Sequence, residues 1–274
     1  MTQTIGDARI WGQSLGLDSV DVQVLLSTAL QKPRTYLLAW PERMLTEPQE
    51  QLYHGWLARR LQGEPIAYIV GEREFWSLPL KTDASTLIPR PDTEMLVETV
   101  LAHFDTAPRV CMDLGTGTGA IALALKSERP GWLISGVDRH PDAVRLAQEN
   151  ALTLGLAVDF RVSDWCADVA PGSVDLLVSN PPYIDADDPH LKLGDVRFEP
   201  AGALIADRGG LAEFESIVDQ ASSCLTAGGA LFFEHGWQQA AAVRAILAAG
   251  GFGRIDTVTD YGGNDRVSLG YLEY

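Results

Sequence analysis

The sequence is poor in cysteine, in cations and in long apolar runs, and each shortage removes a class of reading. Only three cysteines occur, Cys111, Cys166 and Cys224. They show no C-x-x-C spacing and cannot all pair, which suits a reducing compartment and offers no metal site. No apolar run reaches the length of a membrane span, and the opening "MTQTIGDARIW" lacks a basic segment followed by an apolar one. The expected location is therefore cytoplasmic, with neither export nor membrane contact. Cations are scarce: 21 Lys and Arg stand against 37 Asp and Glu, a net charge of −16. Gripping nucleic acid takes a basic surface that displaces counterions from phosphates, so no direct nucleic-acid binding is expected. Low-complexity tracts are missing too. What remains is an ordered chain of 274 residues, long enough for one large domain or two smaller ones with real cores.

Residues 1–65 read as helical. Val22, Leu25, Leu26, Ala29 and Leu30 fall on one stripe at helical spacing, and Lys32-Pro33 ends it. A second helix opens at Thr46 with Gln49 at capping-box spacing and Pro48 in the first turn, and closes at Gly63. Leu52, Trp56, Leu57 and Leu61 are its expected buried face. Residues 66–88 change texture: "IAYIVGEREFWSLPLKTD" holds strand-like stretches broken by Gly71 and Pro79 and is read as a linker with a β-hairpin. From 89 to 274, apolar strands at 109–115, 132–138, 158–162, 174–180 and 230–235 alternate with helical segments. That pattern predicts an α/β unit, a mostly parallel sheet with helices on both faces. The tail adds two strands joined through "YGGND".

"DLGTGTGAIALAL" (113–125) combines a strand end, a glycine-rich turn and the start of a helix. Gly115, Gly117 and Gly119 allow backbone to approach a ligand closely. The helix behind them offers unpaired amides to a carboxylate or phosphate. Asp138 closes the next strand, where an acid accepts hydrogen bonds from both ribose hydroxyls of a nucleoside cofactor. Gly115, Gly117 and Ala120 also satisfy G-x-G-x-x-G/A, so the loop alone leaves a nicotinamide or flavin dinucleotide open. The D-L-G-x-G-x-G form resembles class I methyltransferases, and no later His, Tyr–Lys pair or Cys suggests a hydride-transfer site.

"SNPPYID" (179–185) follows the fourth strand of the alternating series. Ligands of doubly wound sheets sit at the strands' carboxyl ends, where strand order reverses. In the usual order the first and fourth strands flank that point, which brings the glycine loop and "NPPY" to one crevice. Each proline fixes its own φ and extends the residue before it. The arm donates nothing from its prolines, so carbonyls and the Asn180 side-chain oxygen remain as acceptors. A group with two N–H donors, a primary amide or an exocyclic amine, fits such a pair. Tyr183 offers a flat face for a planar amide or base.

The segments "FWSLPL", "TLIPRPDTE", "DLGTGTGAIALAL", "SNPPYID", "DVRFEP" and "EHGWQQ" occur in that order. With the helical N-terminal part they closely resemble bacterial peptide chain release factor glutamine methyltransferases, the HemK/PrmC family, over nearly the whole chain. The resemblance implies a class I (Rossmann-like) S-adenosylmethionine-dependent methyltransferase domain with a small N-terminal helical domain. It implies methyl transfer from S-adenosyl-L-methionine, leaving S-adenosyl-L-homocysteine, to the side-chain nitrogen N5 of a glutamine. That glutamine lies in the GGQ motif of class 1 release factors, which the N-terminal helices would dock. Gly115, Thr116, Gly117, Thr118, Gly119 and Asp138 would hold the cofactor, with Trp165 and neighbouring Asp164 at its adenine. Asn180, Pro181, Pro182 and Tyr183 would hold the glutamine, with Asn180 also near the methyl donor. Asn180, Pro181 and Tyr183 form the expected catalytic set, and no metal is expected.

Two rivals stay open on the residues. An amino-methyltransferase acting on DNA or RNA needs a basic groove, and a non-catalytic adaptor would not bind S-adenosylmethionine. Three further groups carry expectations. Arg90 or Glu94 in "RPDTE" either contacts the cofactor or simply starts a helix. Asp195, Arg197 and Glu199 are expected to form one ion-pair network under the active-site loop. His235, at a strand end, is expected to be structural.

Overall fold

The computed structural model describes residues 2–273, and the chain divides into two compact units. The first runs to Glu72 and takes in Lys192–Phe198; the second holds Arg73–Leu191 and the chain from Glu199 onward. The excursion 192–198 thus goes with the helical unit although it lies inside the 89–274 segment. Among the described residues no helix is long and apolar enough to cross a membrane.

Five helices build the first unit: α1 (Ile5–Ser14), α2 (Ser19–Leu30), α3 (Arg34–Ala39), α4 (Glu47–Leu61) and α5 (Ile66–Val70). Their starts are written in side chains. Thr4 Oγ1 accepts from Asp7 N at 3.1 Å, Asp18 accepts from Val20 N at 2.7 Å, and Thr46 with Gln49 forms the capping box. The α2 stripe is buried as expected, packed on Ile5, Leu37, Tyr53 and Leu57. The face expected of α4 is corrected: Leu52 and Leu61 are 43% and 47% exposed, whereas Tyr53 and Leu57 are buried. Tyr53 is admitted because its hydroxyl donates to Ala8 O (3.2 Å) and Gly12 leaves room for it. "IAYIV", strand-like by its β-branched residues, is the short helix α5, confined between Pro65 and the left-handed Gly71. Arg60 pairs with Asp21 (2.7 Å) and with Asp195 of the excursion (2.9 Å).

The hairpin of β1 (Glu72–Phe75) and β2 (Leu78–Lys81) belongs to the second unit from Arg73 onward. Its two-residue turn puts Trp76 and Ser77 at φ 52° and 59°, the conformation a primed turn needs. No glycine is required there because Trp76 is held from outside: its backbone N–H donates to Glu94 and its indole N–H to Glu128, both at 2.8 Å.

A 3-10 turn, Pro91–Thr93, leads into α6 (Glu94–His103). Then follow β3 (Val110–Leu114), α7 (Ala120–Glu128), β4 (Leu133–Asp138), α8 (Pro141–Leu154), β5 (Asp159–Val162) and β6 (Val174–Ser179). The chain ends with a short turn α9 (Asp207–Gly210), α10 (Ala212–Cys224), β7 (Leu225–Glu234), α11 (Ala240–Ala249), β8 (Phe252–Thr259) and β9 (Asp265–Leu272). The sheet order is β5-β4-β3-β6-β7-β9-β8. Strands β3 to β7 pair in parallel, while β9 runs antiparallel between β7 and β8. Alternation along the central strands divides two cores. Cys111, Leu176, Val178 and Phe232 face α6, α7 and α8; Met112, Leu177, Leu231 and Phe233 face α10 and α11. Because β3 leads outward to β4 and β5 while β6 leads the other way, the order reverses between β3 and β6.

Candidate active site

Gly115, Gly117 and Gly119 all sit in the left-handed region, at φ 73°, 54° and 83°. Gly115 N and Thr116 N both donate to Val137 O at 2.9 Å, folding the loop back over the end of β4. The three glycines do different work. A Cβ on Gly115 would meet the Trp165 ring at 3.1 Å, while on Gly117 its nearest neighbour would be the Thr86 side chain at 3.8 Å. At Gly119 it would meet Phe160 at 2.9 Å and Ala147 at 3.2 Å. Gly119 is therefore a packing residue that lets α7 approach the sheet. Gly119→Ala is expected to cost about 2 kcal/mol from backbone strain and overpacking, read by urea denaturation.

Asp138 ends β4 with both carboxylate oxygens turned to backbone donors: Oδ2 accepts from Gly117 N (3.1 Å) and Oδ1 from His140 N (2.9 Å). Each oxygen keeps lone-pair capacity for a further donor. Behind the loop, fully buried Asp113 accepts from Thr116 Oγ1 at 2.6 Å, and the backbone N–H of Ala122 also favours its ionised form. Burial, aided by the Asp138 charge, pushes the Asp113 carboxyl up to about 7. A carboxyl raised on folding favours the folded state at low pH, and that contribution is lost as pH rises from its ordinary range through about 7. Asp113→Asn, measured against the parent, is expected to gain at least about 1 kcal/mol of relative stability between roughly pH 5 and pH 8.

These groups line a cavity of about 280 Å³ at the carboxyl ends of β3 and β6. Gly115, Thr116, Gly117, Thr118, Asp138, Asp164, Trp165, Asn180 and Pro182 contribute to its wall; Gly119, Pro181 and Tyr183 do not. Trp165, buried at φ 49°, is both wall and core. Its indole N–H donates to Glu213 (3.1 Å), and the Arg139 guanidinium lies 5.8 Å from its ring. Thr86, Pro89 and Arg90, and from a later segment Pro200, Gly202 and Ala203, also line the cavity. Buried Glu199 ties these together, ion-paired with Arg90 and accepting from Ile88 N at 3.0 Å. The single network expected of Asp195, Arg197 and Glu199 is not formed. Asp195 pairs with Arg60, Arg197 donates to Gln62 O, and only Glu199 serves the cavity. Arg90 lines it, whereas Glu94 turns away to hold Trp76. His235 is structural: fully buried, it lies 2.9 Å from Gly236 O and 2.8 Å from Ser268 Oγ.

The Asn180–Tyr183 arm is held along its length. Ser179 Oγ donates to Leu114 O (2.7 Å), and Asn180 Nδ2 donates to Thr93 Oγ1 (3.2 Å). Gln239 Nε2 donates to Tyr183 O (3.0 Å), against which Gly210 packs so closely that a Cβ would overlap it. Tyr183 is half-buried against the α10 and α11 core, its hydroxyl directed at Glu234 Oε1 (3.4 Å). Glu234 is buried at the end of β7, and desolvation pushes its carboxyl up to about 7. The Thr93 hydroxyl, Arg266 and Tyr183 favour its ionised form, and Asp92 opposes it. Arg266 itself pairs with Asp260 (3.2 Å) and Asp92 (3.5 Å). Thr93, Glu234 and Gln239 were not singled out from the sequence as site residues, although all three lie in the quoted segments.

The donor set fits a nucleoside cofactor with a charged amino-acid tail. The acceptor pair of Asp138 suits a diol, and the amides at the start of α7 suit a carboxylate. The open side of Gly117 and the flat wall of Trp165 leave room for both.

Comparison with known proteins covers both units. Residues 12–71 match a family model described as the PrmC N-terminal domain, and residues 91–213 match a methyltransferase small domain. The release factor glutamine methyltransferase of Salmonella typhimurium is 53% identical over 251 residues, 91% of each chain. That of Vibrio cholerae is 52% identical over 262 residues, covering 94% of this chain and 92% of its own. That of Pseudomonas aeruginosa is 50% identical over 252 residues, 92% of this chain and 91% of its own. Among solved structures, a methyltransferase from Pyrococcus furiosus superposes with a TM-score of 0.57 at 16% identity, over 79% of this chain and 98% of its own. A likeness at that identity speaks to the fold alone. The sequence identities run through both units over nearly the full length, so this chain belongs to the family of release factor glutamine methyltransferases.

Proposed function

We propose that this chain transfers a methyl group from S-adenosyl-L-methionine to the side-chain nitrogen N5 of the GGQ glutamine in class 1 peptide chain release factors. S-adenosyl-L-homocysteine is the other product, and the amide nitrogen releases one proton to solvent after the methyl is transferred. The observation that carries the reading is the convergence of an Asp138-braced glycine loop and the Asn180 amide on one cavity.

Asp138 accepts from the ribose hydroxyls, the loop Gly115–Gly119 gives the ligand close approach to backbone, and the first amides of α7 face the carboxylate. Trp165 and Asp164 border the adenine. Bound there, the cofactor supplies a methyl carbon made electrophilic by its sulfonium. Asn180 Oδ1 and the Pro181 carbonyl accept the two N–H bonds of the glutamine amide, with Pro182 stiffening the arm and Tyr183 beside it. A primary amide is a weak nucleophile because its lone pair is delocalised into the carbonyl. Two acceptors that hold its N–H bonds let the nitrogen pyramidalise, so catalysis here is positioning and local electrostatics. The helices of residues 1–65 dock the release factor, adding recognition that a single side chain cannot supply.

The test is transfer of labelled methyl from S-adenosyl-L-methionine to purified, unmethylated release factor. Label is expected on the wild-type factor and absent from one whose GGQ glutamine is alanine. Equal labelling of both would overturn the assignment.

A further inference from the structure

Resting on the placing of adenine beside Trp165, we propose that Glu213, which does not itself line the cavity, fixes Trp165 as the wall for the cofactor's base. The starting observation is a strained turn. Trp165 sits at φ 49°, in the left-handed region, although it is bulky and not glycine. Such a backbone is unfavourable for a side chain of that size and persists only where neighbours hold it.

The neighbours come from α10. Glu213 and Gln220 stand seven residues apart, two turns along one face of that helix. Gln220 Oε1 accepts from Cys166 N at 3.0 Å and pins the backbone just after the strained residue. Glu213 pins the ring: its Oε2 accepts from the indole N–H at 3.1 Å, and its Oε1 accepts from the Arg139 guanidinium at 3.2 Å. Trp165 is 6% exposed, and an indole N–H buried that far needs an acceptor. The ring also rests against the glycine loop, where a Cβ on Gly115 would come within 3.1 Å of it. One carboxylate thus joins two wall residues from different loops, Arg139 after β4 and Trp165 after β5. Arg139 is 42% exposed, so its ion pair contributes little and the indole bond carries the effect. A wall fixed by the protein's own bonds need not be ordered by the ligand, which favours binding. Glu213 touches no cofactor in this scheme; it is a positioning residue that acts through Trp165.

Glu213→Ala deletes the acceptor, whereas Glu213→Gln keeps an acceptor oxygen and removes the charge. Calorimetry with S-adenosyl-L-homocysteine, which needs no release factor, should show Kd weakened about tenfold by alanine and less than about threefold by glutamine. Glu213→Met, which keeps the side-chain stem, serves the same comparison should alanine unfold the protein. In a Trp165→Phe background, which has no indole N–H, Glu213→Ala should change Kd by less than about threefold. A second readout is exchange of the Trp165 indole proton with water, followed by NMR and assigned by its loss in Trp165→Phe. Alanine should speed it about tenfold or more, and glutamine should not. A parental Kd in Glu213→Ala while Trp165→Ala weakens binding, or an equal loss with Trp and with Phe at position 165, would overturn the proposal. If neither Trp165→Ala nor Glu213→Ala alters Kd, adenine does not lie at Trp165, and the proposal falls with that placement.

Discussion

Replacing Asn180 with alanine is expected to slow methyl transfer by about 10²- to 10³-fold, the loss typical of removing one preorganised polar group at a reacting centre. The affinity for S-adenosyl-L-methionine should change by less than about threefold, because Asp138, the glycine loop and Trp165 are untouched. The split follows from the geometry. Asn180 lines the cavity beside Pro182 and is anchored by Thr93, whereas the cofactor acceptors lie at the ends of β3 and β4. Single-turnover transfer and calorimetric cofactor binding, measured on the same preparation, read the two quantities separately. A variant with near wild-type transfer would remove the amide clamp from the mechanism.

The second large effect concerns binding. Asp138→Ala is expected to weaken S-adenosyl-L-methionine by roughly 1.5–3 kcal/mol, the range for hydrogen bonds to a charged group. That is about 10- to 150-fold in Kd. Two contributions add. The ribose loses its acceptors, and Gly117 N and His140 N lose the carboxylate that fixes the loop. Asp138→Asn keeps one acceptor oxygen and should fall between parent and alanine. Unchanged calorimetric Kd in the alanine variant would end the ribose assignment.

What was legible in the sequence was legible for physical reasons. Left-handed turns favour glycine, so Gly115, Gly117 and Gly119 announced the loop. Alternating apolar strands announced a sheet covered on both faces. Thr46 and Gln49 announced a helix start, and the same capping geometry is present. On α4 a polar-tipped residue, Tyr53, took the core position because Ala8 supplied an acceptor, and Leu52 and Leu61 were left outside. The hairpin turn at Trp76-Ser77 lacks glycine because its strain is offset by Glu94 and Glu128 from distant parts of the chain. Asp195, Arg197 and Glu199 are close in sequence but find separate partners, since the excursion 192–198 leaves the second unit and Glu199 returns to it. Thr93 lies 87 residues from Asn180, and a contact across that separation leaves no periodic or local signal. Function-bearing backbone shapes are visible in a sequence, while side-chain polarity networks wait for the fold.

The account turns on one reaction, and mass spectrometry of a release factor tests it most directly. Purified, unmethylated factor would be incubated with this protein and S-adenosyl-L-methionine, then digested and mapped. The account predicts a single methyl increment on the glutamine side chain of the GGQ peptide, missing when Asn180→Ala replaces the parent. No increment on that peptide, from a protein that binds the cofactor normally, would contradict it.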